Sequence, residues 1–345
     1  MRERARLRWG LALAIAVVAV AVALGGCAPK QEEAKWPQNP VKVVVGFPPG
    51  GPTDVQARVV VPLMQKYLGG SWAVSNQAGA AGSIGASEVV KAAKDGYTLL
   101  YGSETMSVWQ VMDIVDLNPT RDFEPIGIGA EAIVGLSVPA NSRFTSVQQL
   151  IDEAKANPGK VQVSTAGPAT MAHVSGLLLE KYMGVKFTYV PFQGGGPAVM
   201  AAVGGQVDVT MEPVTNVIEH HKGGTLKILA ILDNKRDSRL PDVPALGEIY
   251  PEMKPYLPYG PYFGLFAPKG IPDNVKKTLV DGITKVFADE EWKSKVNTLY
   301  LVGVNKIGDD ARAYLDAWTS RASWILYEAG VAKKSPEQFG IPRPK

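Results

Sequence analysis

Cysteine occurs once in the 345 residues, at position 27, and histidine only three times. A disulfide within the chain is therefore excluded, as is a zinc-finger array or a cysteine-rich metal cluster. Charge of one sign is not in excess: 36 Lys and Arg face 33 Asp and Glu, a formal net charge of +3. Catalytic patterns are missing too. The nearest approach to a Gly-x-Ser-x-Gly elbow, at 81–85, has Ala81 where the first glycine belongs, and neither a zinc-protease nor a calcium-loop motif occurs. No enzyme, metal or cofactor is expected. What is present, 46% hydrophobic and 20% charged residues, is a globular composition that excludes disorder, collagen or coiled coil for the whole chain. The length suits two domains.

The first eight residues carry Arg2, Arg4, Arg6 and Arg8 against Glu3, and an uncharged apolar run follows at 11–24. That run is shorter than the about 20 residues of a comfortable membrane span and has the form of a secretory signal. It ends in Gly25, Gly26 and Cys27, small residues before the lone cysteine, which resembles a bacterial lipobox. Residues 1–26 then read as a lipoprotein signal peptide and Cys27 as the lipidated first mature residue. Each acyl CH₂ buried in a bilayer contributes roughly 0.8 kcal/mol to anchoring. Residues 27–39 are polar and proline-punctuated, a flexible tether. Loss of the signal leaves equal numbers of basic and acidic residues, so no basic field for nucleic acid remains.

Beyond the tether, short β-branched runs alternate with helical stretches. Strands are expected at 41–47, 71–76, 97–102, 126–128, 135–138, 162–165, 188–191, 207–211, 226–232 and 262–267. Helices are expected at 53–67, 83–93, 146–157, 172–183, 196–204, 273–287, 290–299 and 309–329. The alternation implies α/β units on mostly parallel sheets flanked by helices. Chain order suggests a discontinuous first domain, 40–135 plus 259–345, and a second domain, 136–258.

Several strands run into glycine-rich turns that open helices. After the first strand come Phe47, Pro48, Pro49, Gly50 and Gly51, then Thr53 and Asp54 as candidate helix caps. Glycine lets a ligand approach the backbone, and the helix start offers unpaired N–H groups and a positive dipole end. This is an anion site that needs no Lys or Arg. No Gly-Lys-Ser/Thr follows, so it is not a nucleotide P-loop. Ser164, Thr165, Ala166 and Thr170 repeat the logic in the middle of the chain, with His173 in the first helical turn. Gly194 and Gly195 belong to a third such turn, and Ser103, Glu104 and Thr105 end another strand. Ligands of open α/β sheets sit outside the carboxyl ends of strands, so these turns can face one crevice. The glycine turn at 76–85 and the Gly127–Gly129 pair are weak as nucleotide motifs.

With those residues in view, the stretch from about Pro40 to Gly330 resembles the Bug receptor family, the TctC-type solute-binding proteins of tripartite tricarboxylate transporters. The family's first loop, Phe-Pro-Pro-Gly-Gly-x-x-Asp, stands unchanged at 47–54. Further matches fall at 95–100, 157–160, 191–198, 205–208, 236–244 and 267–272. The resemblance implies a two-domain flytrap of the periplasmic-binding-protein type (type II). Its loops at 47–54 and 164–170 would grip a ligand carboxylate through backbone amides and hydroxyls. The ligand would be a di- or tricarboxylate, an amino acid or an aromatic acid. The receptor would hand it to integral membrane subunits, from the periplasm or the outer face of the cytoplasmic membrane. A ligand-sensing subunit of a signalling receptor is the alternative.

The sequence departs from the family pattern in places. Gln77 and Ala78 stand where Arg-Pro is usual, and Ser164 and Thr165 where the middle loop begins Gly-Ser. Glu104 is an unusual acid beside Ser103, whereas Glu212 falls where an acid is common. If both glutamates face the cleft, a plain polycarboxylate is repelled and a zwitterion or nitrogen heterocycle is favoured. If either points to solvent, that argument lapses.

Overall fold

The computed structural model describes residues 36–344. The signal at 1–26, Cys27 and most of the tether lie outside the described residues. Asn39–Lys345 form a compact unit of their own. In chain order it opens with β1 (Val41–Val45), α1 (Pro52–Leu68), β2 (Trp72–Asn76), α2 (Ser83–Lys91), β3 (Thr98–Ser103), β4 (Phe123–Ala132) and β5 (Val134–Pro139). There follow α3 (Val147–Ala156), β6 (Val161–Thr165), α4 (Met171–Met183), β7 (Phe187–Pro191), α5 (Gly195–Val203), β8 (Val209–Pro213), α6 (Val214–Lys222) and β9 (Leu226–Ile231). The last elements are α7 (Leu246–Ile249), β10 (Tyr262–Pro268), α8 (Asp273–Ala288), α9 (Glu290–Thr298), β11 (Leu301–Ile307) and α10 (Gly308–Glu328).

The strands form a six-stranded sheet in the order β11-β4-β10-β3-β1-β2 and a five-stranded sheet in the order β7-β6-β8-β5-β9. Both are mixed. In the first, β1, β2, β3 and β4 run one way and β10 and β11 the other. In the second, β5 alone is reversed. The chain path explains the reversal. β4 ends at Ala132, and after Ile133 the chain enters β5 of the other sheet. The carboxyl ends of the strands in both sheets face the same space. A strand that leaves that space must therefore run against its neighbours. The same holds for β10, which starts where the chain returns at 259–261.

Backbone hydrogen bonds tie the first crossing segment to the second and to the ends of β8 and β9. Ala132 N–H donates to Pro261 O at 2.9 Å, Leu232 N–H to Val134 O at 2.9 Å and Val214 N–H to Ile133 O at 2.7 Å. At Gly260 a Cβ would fall 1.9 Å from the Ala132 carbonyl oxygen, so only glycine lets these segments approach so closely.

Apolar residues of β1 that are fully buried, Val41, Val43, Val44 and Val45, each contribute roughly 1.5–3 kcal/mol. Helix α8 buries Val275, Leu279, Ile283, Val286 and Phe287, one stripe at helical spacing. The Gly127–Gly129 pair lies within β4 beneath that helix. A Cβ on Gly129 would lie 2.8 Å from the Trp292 ring, so the pair makes room for aromatic rings and holds no nucleotide.

Three elements have no counterpart among the expected ones: the four-residue α7, α6 and β11. α6 starts immediately at the end of β8, and its Val214, Thr215, Val217 and Ile218 read locally as more strand. β11 is an edge strand with mostly exposed or half-exposed positions, a bulge between Gly303 and Lys306, and Asn305 at φ 46°. It carries little of the alternation that marks a half-buried strand.

Candidate functional site

Four helices begin at the carboxyl ends of strands and point their first turns at one cavity of about 570 Å³. Their N-cap residues are Gly51 (α1), Gly82 (α2), Thr170 (α4) and Gly194 (α5), and all four line the cavity. None of the four ends is capped by a side chain. Helix starts leave backbone N–H groups without partners inside the helix, and their dipoles present positive ends. Two come from each sheet, so the cavity is walled by positive ends from both sides. Among the described residues no Lys, Arg or His lines it.

Of the residues singled out in the sequence, Phe47, Gly50, Gly51, Thr53, Ser103, Glu104, Thr105, Ala166, Thr170, Gly194, Gly195 and Glu212 line this cavity. The loops at 47–54 and 164–170 thus open on the same space. Four others sit behind the wall. Asp54 is buried and accepts hydrogen bonds from Gly50 N–H, Arg58 Nε and Asn76 Nδ2, each at 2.9 Å. Burial alone would raise its pKa, but the bonds from Arg58, Gly50 and Asn76 outweigh burial and hold it low. Asp54 therefore braces the loop and does not cap α1, whose N-cap is Gly51. Ser164 is fully buried in β6, paired in register with Thr210 of β8. Thr165 Oγ1 accepts from Gly167 N–H at 3.2 Å and shapes the turn. His173 Nδ1 accepts from Ala169 N–H at 3.1 Å, and its ring meets Tyr189 edge-on at 4.7 Å. Burial lowers its pKa, so it stands neutral as a loop brace.

The glycine turn at 76–85, weak as a nucleotide motif, supplies Ala78, Gly79, Ala80, Ala81 and Gly82 to the wall. Its signal was the glycine spacing before a helix, the same as in the first loop. Phe192, Met171, Pro261 and Phe263 join the wall from three separate places in the chain, and only the fold gathers them.

The two glutamates enter from opposite sheets. Glu104 follows β3, and Glu212 lies near the end of β8; both are buried and both line the cavity. Burial pushes the Glu104 carboxyl up to about 7 from an ordinary 4.5, with a bond from Ser103 pulling the other way. Burial, and then the nearby charge of Glu104, push Glu212 up to about 8, against a bond from Asn216. Room for Glu212 comes from a glycine: a Cβ on Gly195 would lie 2.8 Å from its Oε2.

Comparison with known proteins agrees with this construction. Residues 56–312 match the family described as "Tripartite tricarboxylate transporter family receptor". Protein BugT of Bordetella pertussis is 34% identical over 319 residues, which cover 90% of this chain and 96% of BugT. The periplasmic binding protein BugD superposes with a TM-score of 0.78 at 28% identity, covering 87% of this chain and 100% of BugD. Rpa4515 of R. palustris, solved with adipate, gives 0.79 at 26% identity and covers 86% and 99%. MatC of Rhodopseudomonas palustris, solved with malate, gives 0.75 at 29% identity and covers 84% and 100%. The fold is that of the periplasmic binding proteins, and the family is one of extracytoplasmic solute receptors, not of enzymes. The chain belongs to the receptor family of the tripartite tricarboxylate transporters.

Proposed function

We propose that this protein captures a small carboxylate in its cavity and delivers it to the membrane subunits of a tripartite tricarboxylate-type transporter. The observation that carries the reading is the convergence of four uncapped helix starts, from two sheets, on one cavity without a lined cation. Aligned peptide N–H groups replace the water that a carboxylate loses on entry. Each charge-assisted bond contributes on the order of 1.5–3 kcal/mol. Residues 40–135 with 259–345 act as one lobe and 136–258 as the other, meeting over the ligand, and the closed form is what the transporter recognises. The adipate and malate held by the two solved relatives agree with a small acid as ligand.

Cys27 is read as the lipid attachment point that keeps the receptor at the membrane, on the strength of its position after the apolar run. Native mass spectrometry of the protein as purified should show a retained small acid, and calorimetry should show that acid rebinding after removal. Gly51→Val is the matched control. Gly51 has φ −73°, and a Cβ there meets only Pro48 O at 3.4 Å, so the variant folds while its side chain occupies ligand space. Unchanged affinity in that variant would count against the site.

A further inference from the structure

We propose that Glu104 and Glu212 form a subsite for a cationic nitrogen, so that the solute is a zwitterion carrying both a carboxylate and a protonated amine or similar group. The inference rests on the receptor reading and specifies its ligand class. Two observations lead to it.

The first is charge balance across the cavity. Two carboxyls from opposite sheets line one cavity, and among the described residues no Lys, Arg or His lines that space to neutralise them. Glu104 is faced by Ser103, Tyr259, Tyr262 and Glu212. Glu212 is faced by Glu104 and Asn216. Buried ions without a counter-charge are costly, so such a pair holds protons when the cavity is empty. Burial indeed raises both groups, and the charge of Glu104 raises Glu212 further. A ligand cation between them supplies the missing charge.

The second is the division of the cavity. Glu212 lies against Gly195, the first residue of α5, so its carboxyl already occupies the space before that helix. A ligand carboxylate is thereby directed to the starts of α1, α2 and α4. The nitrogen then falls between the glutamates, and a ligand bridging both sheets holds them together.

The test uses the purified full-length protein and probes matched in length: malate against aspartate, and adipate against 6-aminohexanoate. Each is titrated by calorimetry at pH 7.5 in buffers of different ionisation enthalpy. The expected result is that at least one nitrogen-bearing probe binds about tenfold or more tightly than its nitrogen-free counterpart. Its binding releases protons, because the ammonium drives both carboxyls to ionise. Glu104→Gln and Glu212→Gln, which keep shape and remove charge, each weaken that probe about tenfold or more and reduce the proton release. Tight di-acid binding with proton uptake and no nitrogen preference overturns the subsite but leaves the carboxylate receptor standing. If neither kind of probe binds, the subsite falls and the receptor reading falls with it.

Discussion

The Glu104–Glu212 pair ties stability to pH in a quantitative way. Glu104 titrates at about 7 and Glu212 at about 8 in the folded protein, against 4.5 ordinarily. A folded-state pKa above the unfolded one means that the native protein holds protons the unfolded chain has released. The associated stabilisation is complete below pH 4.5 and is lost as the pH rises through about 7 and then about 8. At about 1.4 kcal/mol per proton per pH unit, the two groups together cost on the order of 5 kcal/mol between pH 5.5 and 8.5. For a chain of this size that is roughly 10 °C in melting temperature. The perturbation is E104Q/E212Q, which removes both titrations and keeps the hydrogen-bonding shape. Thermal melts followed by circular dichroism, with ligand removed, should show the lead of the variant over the wild type growing by roughly 10 °C between pH 5.5 and pH 8.5. His173, whose pKa is lowered by burial, acts in the opposite sense but is common to both proteins and cancels. Melting curves that stay parallel from pH 5.5 to 8.5 would refute the claim that these carboxyls are buried against each other without a counter-charge.

Three other outcomes follow from particular contacts. Asp54→Ala strips a buried acceptor from Gly50 N–H, Arg58 and Asn76, and should cost about 2–4 kcal/mol in urea unfolding while weakening ligand binding through a loosened loop. Because the Asp54 pKa is held below 3.8, its contribution is present above that pH and fades on acidification through the lower folded value. Gly260→Ala sets a Cβ 1.9 Å from Ala132 O and forces the crossing segments apart, with loss of the Ala132–Pro261 hydrogen bond; about 3 kcal/mol or more of destabilisation is expected, and a urea midpoint matching the wild type would contradict it. Cys27→Ala should move the protein from the membrane pellet to the soluble fraction of lysed cells and abolish incorporation of a labelled fatty acid. Retention in the membrane would argue for another anchor.

The loops were legible residue by residue. Phe47 to Asp54 announces a stiff, glycine-opened turn before a helix because proline and glycine set backbone angles locally, whatever surrounds them. The same holds for the turns at 164–170 and 194–195, and strand–helix alternation carried the α/β class. Side-chain direction was not legible. Asp54, Ser164, Thr165 and His173 lie within the right segments, yet they turn behind the wall, because each is captured by a neighbour's N–H or by strand register. Strand order was equally hidden: the reversal of β5 depends on where the chain crosses between sheets, a relation between residues 73 to 96 positions apart. So was the meeting of Glu104 with Glu212. Local sequence sets backbone preference over a few residues, whereas the charge inside a cavity depends on which distant carboxyls the completed fold brings together and which cations it leaves outside.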